Sequence, residues 1–237
     1  MSAPVVEVFG ASARAYVRQP INIVLLIILP PLLIIAMNSA ISTFSDVIGG
    51  NLGERAGTGL AGLWAASLLT GAAVFFVLRT SLQTDARLVV AGLSELSLSS
   101  AHAIATLLIA LITTLISFLM LVATQEVGDA LNLFAAILAS ALIYGAIGTL
   151  LAWFIEGDLE VSFVIILIFM LVAFVGGPLG GSTGLVANLF PLHFTSEIAV
   201  ASMLGDSFPG EWFVYSGLYL AAIIAAYPAA RWLRGRS

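Results

Sequence analysis

Residues 79–100 read RTSLQTDARLVVAGLSELSLSS. This is the longest mixed-charge segment lying between two apolar runs, 57–78 and 101–123, and it holds Arg79, Asp85, Arg87 and Glu95. Beside it, the only ionisable group in those runs is His102. Each run has the roughly 20 apolar residues that a helix needs to cross the hydrocarbon core of a bilayer. The segment therefore reads as a partly helical loop, held at a membrane face by the helix on either side.

Composition points the same way. The chain is 61% hydrophobic and 9% charged, whereas soluble domains are about 25% charged. The expected fold class is all-α: a polytopic membrane protein with six transmembrane helices in a single domain, 1–237. Pro4 to Arg18 has Glu7, Arg14 and Arg18 on one narrow helical face, with Val5, Val6, Phe9 and Val17 opposite. Such an amphipathic split predicts a helix lying in the membrane interface over 4–19. The predicted spans are about 21–44, 57–78, 101–123, 131–155, 161–177 and 211–230. Pro30 and Pro31 interrupt the first span and deprive carbonyls of their helical donors. Thr58, Gly62 and Ala66, and again Ala141, Gly145 and Thr149, form stripes of small residues that suit close helix packing. Residues 178–210 carry Pro178, Pro191, Pro209 and the run Gly180-Gly181-Ser182-Thr183-Gly184. They predict a re-entrant or helical segment between spans five and six.

Arginines set the orientation, because basic residues near span ends stay in the cytoplasm. With six spans, Arg14, Arg18, Arg79, Arg87, Arg231, Arg234 and Arg236 share one side and Arg55 takes the other. The expectation is a multi-pass protein of the plasma membrane with both termini cytoplasmic and 178–210 external.

The chain has no cysteine, and all eight of its basic residues are arginine. Thiolate metal sites, a Schiff-base lysine and a P-loop are excluded. His102 and His193 fall on opposite sides of the expected membrane, so no metal site is predicted. The acids Glu126 and Asp129, and Glu156, Asp158 and Glu160, read as solvated loop residues. The central portions of the spans lack Asp, Glu and Arg, which argues against an ion-coupled transporter. Thr113 and Ser117 on the third span and Tyr144 on the fourth are candidate pathway residues; interhelical hydrogen bonding accounts for the same residue types. Gly180 to Gly184 has the spacing G-x-S-x-G, for which an intramembrane serine hydrolase using Ser182 is the alternative function. The motif's usual strand-to-helix setting is missing from the pattern.

Three motifs, taken in order among the spans, carry a resemblance. They are Arg18-Gln19-Pro20 leading to Leu29-Pro30-Pro31, Asp85-Ala86-Arg87-Leu88 to Gly92-Leu93-Ser94, and Leu189-Phe190-Pro191-Leu192-His193-Phe194. Across essentially its whole length the chain resembles the membrane subunit (permease) of ABC transporters of the type-2 exporter class. The resemblance implies a coupling helix around Gln83 to Leu93, with Gln83, Asp85, Arg87, Leu88 and Leu93 facing a separate ATPase subunit. The interfacial helix bearing Glu7, Arg14 and Arg18 would touch that subunit too. It also implies pairing with a second copy or a related permease, ATP and magnesium held by the partner, and no catalytic or cofactor-binding residue in this chain. The lipid membrane is the remaining partner, and no nucleic acid is expected. A membrane scaffold without transport is the third function class.

Overall fold

The computed structural model describes residues 20–48, 53–155, 157–172, 175 and 186–227. Within them the chain is all-α. The helices are α1 (Pro20–Ile48), α2 (Glu54–Val90), α3 (Glu95–Thr124), α4 (Ala130–Phe154), α5 (Asp158–Leu171), α6 (His193–Leu204) and α7 (Glu211–Ala225). A 3-10 turn, Ala187–Leu189, precedes α6. Among the described residues, three stretches are long and apolar enough to cross a membrane: Glu54–Ser81, Leu96–Thr124 and Ala130–Phe154. Ile27–Ile41, Glu160–Leu171 and Glu211–Ala225 are shorter apolar helices. The interfacial helix expected over 4–19, with Glu7, Arg14 and Arg18, lies outside the described residues. So do Ser182 and the terminal arginines.

α2 and α4 together form the centre of the bundle. The buried residues of α4 include Leu133, Ala136, Ile137, Ser140, Ile143, Tyr144, Gly148 and Ala152, which at 100° per residue spread over about half of its circumference. α2 runs parallel to it in backbone contact: a Cβ added at Gly148 would collide with the Gly71 carbonyl oxygen. α3 returns antiparallel, joined to α4 by the short acidic turn at 125–129. There Asp129 caps α4, accepting hydrogen bonds from the Asn132 backbone N–H (3.1 Å) and side-chain amide (2.6 Å). The caps thus come from local chemistry that the sequence already displays.

The faces of α3 differ sharply. Ala110, Thr113, Thr114, Ser117 and Leu121 are buried, while Leu107, Ile112, Leu115, Leu119 and Val122 are exposed. Polar residues turn inward and leucines outward, the reverse of a soluble amphipathic helix and the pattern that hydrocarbon solvates.

The antiparallel arrangement gives the bundle two unlike ends. At one, α2 turns into α3 near Gly92, and the start of α5 packs below through Val161 and Ile165 against Val74, Phe75 and Leu78. We call this the hairpin end. At the other lie Arg55, the 125–129 turn, α6 and the start of α7. The Asp129 N–H bonds the Ser202 carbonyl (2.8 Å), tying the turn to α6. We call this the cap end.

Candidate functional site

The hairpin end is built from α2 and α3. The mixed-charge segment expected as a partly helical loop is mostly helix: α2 continues through Val90 and α3 begins at Glu95. The helix runs unbroken through Leu88-Val89-Val90, and only four residues, 91–94, turn the chain. Gly92 has φ +94°, a left-handed conformation that glycine adopts without strain. The Leu93 N–H reaches back to the Leu88 carbonyl (3.0 Å) and the Gly92 N–H to that of Val89 (2.9 Å). That pair of bonds is the Schellman stop of a helix. Ser94 then caps α3 by accepting from the Ser97 N–H (3.2 Å).

At 1.5 Å per residue α2 is roughly 55 Å long, well beyond the ~30 Å hydrocarbon core. Its turns past Ser81 therefore project from the apolar bundle. At the tip, Val90 is 89% exposed and Leu96 78%. Arg87 is exposed beside them, and Leu88 and Leu93 are half-buried. Ser81 and His102 meet at 3.3 Å lower down, fixing α2 against α3 at the base of the projection. The side chains of Gln83 and Asp85 lie outside the described residues.

The three candidate pathway residues sit deep in the bundle. Thr113 is fully buried and shares a 2.7 Å hydrogen bond with Thr70 of α2. Ser117 and Tyr144 are buried, and neither hydroxyl has a hydrogen-bond partner among the described residues. None of the three meets solvent in this conformation.

The cap end carries residues that sequence reasoning did not single out. α6 buries Phe194, Thr195, Ser196, Ile198, Ala199, Ser202 and Met203, packed on α2, α4 and α7. The Trp64 indole N–H donates to the Ser196 hydroxyl (3.3 Å), locking α6 to α2. The Phe194 ring lies 4.8 Å from that of Tyr215, and the Tyr219 hydroxyl donates to the Asn188 carbonyl. An open groove of about 400 Å³ beside α6 is lined by Asp129, Asn132, Asp206, Ser207, Phe208, Gly210 and Phe213. Arg55 reaches the Glu126 carboxylate at 3.9 Å and also donates to its backbone carbonyl. His102 and His193 lie at opposite ends. Among the described residues, no three His, Cys, Asp or Glu gather to hold a metal ion. No signal short of the fold itself links Trp64 with Ser196, which are 132 residues apart.

Glu197 is half-buried on α6. Burial raises its carboxyl above the ordinary carboxylate range, and the nearby His193 partly offsets this. A raised acid pKa means that the folded state holds its proton where the unfolded chain has lost it. Stability from this group therefore falls as pH rises past the ordinary value of about 4.3 and on through the raised one. Glu197→Gln is expected to raise the melting temperature at neutral pH, with the gain vanishing at acid pH. Thermal unfolding across that range checks it, and a gain confined to acid pH would refute it.

Comparison with protein-family models, curated proteins and solved structures returns no match.

Proposed function

We propose that this chain is the membrane-spanning subunit of an ATP-driven exporter, in which a separate ATPase subunit docks on the hairpin end. The observation that carries the reading is the projecting tip: Val90 and Leu96 exposed beside Arg87, on a rigid hairpin that extends past its apolar bundle. Exposed apolar side chains on such a projection are costly in water and are what a partner surface covers. The end bearing the tip also carries Arg79 and Arg87, whereas Arg55 at the cap end is tied to Glu126. Arginine asymmetry of this kind favours the hairpin end as cytoplasmic.

In this reading α1, α2, α3, α4, α5 and α7 supply six spans of a plasma-membrane protein with both termini inside. A second copy or a related permease completes the pathway. α6 closes its outer end, and ATP and magnesium act in the partner. The motif order from Arg18-Gln19-Pro20 to Phe194 supports this family reading. Reversal of charge at Asp85 and Arg87 (Asp85→Arg, Arg87→Asp) is expected to weaken co-purification with an ATPase encoded beside this chain and to abolish transport. Capture and transport both at wild-type level in the double reversal would sink the assignment.

A further inference from the structure

The bundle satisfies most of its buried hydroxyls in one way, by bonding them to a carbonyl one turn back. Ser67 does so to Leu63 (2.8 Å), Thr70 to Ala66 (2.7 Å), Thr113 to Ile109 (3.0 Å) and Ser140 to Ile137 (2.8 Å). Thr114, Ser117, Ser202 and the Tyr144 hydroxyl depart from the rule. Of these, Thr114 and Ser117 are fully buried one turn apart on α3, and neither hydroxyl has a partner among the described residues. In an apolar surrounding each unsatisfied hydroxyl costs about 1–3 kcal/mol, and a membrane interior offers no bulk water to relieve it.

The depth of these two residues is fixed by contacts above and below. On α3, Thr113 bonds Thr70 of α2, and Leu121 packs against Gly62. Thr114 and Ser117 fall between those contacts, Ser117 level with Ala66 on α2 and Thr114 one turn away, level with Leu69. α1 runs antiparallel to α2: Thr58 donates to Asn38, and Gly57 lies against Ile41. Counting back along α1 from that contact brings Pro30 and Pro31 level with Ala66 and Ser67. α1 also packs against α3. Prolines 30 and 31 have no amide hydrogen, so the carbonyls of Leu26 and Ile27 lose the donors an α-helix would give them. Two donor hydroxyls and two carbonyl acceptors, each lacking its usual partner, thus occur within about one helical turn of each other in depth on neighbouring helices.

We infer that they are the two halves of one internal site for an uncharged hydroxyl group. A hydroxyl there donates to a freed α1 carbonyl and accepts from Thr114 or Ser117. Charge is excluded because no Asp, Glu, Arg or His lies near this depth on α1, α2 or α3, and an uncompensated ion is expensive in such a place. Water is one source of the hydroxyl. The headgroup of a neutral amphiphile is the other, and that assignment as cargo rests on the exporter reading.

The absence of native cysteine makes the test direct. Ser117→Cys and Thr114→Cys, purified in detergent, are reacted with the small water-soluble reagent 2-aminoethyl methanethiosulfonate, with Ser140→Cys as a buried control. Both are expected to react at least tenfold faster than Ser140→Cys; rates equal to the control would overturn the site. Addition of 1-monooleoylglycerol, but not of methyl oleate, slows labelling several-fold if the occupant is a headgroup. Unchanged labelling overturns the headgroup and leaves water. Thr114→Val gives an independent sign: an occupied site predicts a lower melting temperature, and a higher one refutes occupancy. The assay contains no ATPase, so its failure leaves the exporter reading standing, and failed ATPase capture leaves this site standing.

Discussion

A valine at position 148 is expected to leave almost no folded protein to purify. α2 and α4 meet there backbone to backbone, and the added side chain would fall on the Gly71 carbonyl oxygen. Overpacking costs about 1–3 kcal/mol where side chains can yield; a backbone carbonyl within a helix cannot swing aside. The two helices would have to part. That would open the core holding Leu60, Leu63, Ala66, Ile137 and Tyr144. Gly217 on α7 is the matched control, since a Cβ there meets nothing within 4 Å. Gly217→Ala is expected to fold at wild-type level, or to gain slightly from helix propensity. Size-exclusion profiles and melting temperatures of the two variants provide the comparison. A monodisperse Gly148→Val protein melting like the wild type would mean that the two backbones do not touch.

On the exporter reading, aspartate at both Val90 and Leu96 is expected to reduce capture of the proposed ATPase subunit by at least about a hundredfold. Two central apolar anchors contribute on the order of 2 kcal/mol each when buried by a partner, and about 2.8 kcal/mol already corresponds to that factor. The melting temperature should not move, because both side chains are exposed in the isolated chain. Leu189→Asp is the control: it is 74% exposed but belongs to the cap end. Capture should survive it. Equal capture by all three proteins would remove the tip from the docking surface and with it the main support for the exporter reading.

Much of the helical fold was visible in the chain because an apolar run of bilayer length has few other solutions. The runs 101–123 and 131–155 fall on α3 and α4, and the acidic turn between them carries its own cap in Asp129. The hairpin end was harder. The charges of Arg79, Asp85 and Arg87 suggested a loop, yet charge does not stop a helix. The stop was written in Gly92 and the restart in Ser94, a glycine just past a helical run and a serine three residues before Ser97. The small-residue stripes led to the right kind of contact but not to the tightest one. Gly62 meets Leu121 and Gly145 meets Thr106, while the backbone contact comes at Gly71 and Gly148. Which hydroxyls lack partners, and that Trp64 holds Ser196, depend on contacts between distant residues, which no local pattern encodes.

α2 passes from Glu54 to Val90 without a break in its helix. Near its start it bears Gly59, against which Met203 of α6 is pressed, and Trp64, which grips Ser196; at its far end it bears Val90. With no proline along its length, it has no joint at which to absorb a displacement. On the exporter reading, a torque applied at the valine would reach the cap end as movement of α6, with the tryptophan-to-serine bond the first link to feel it.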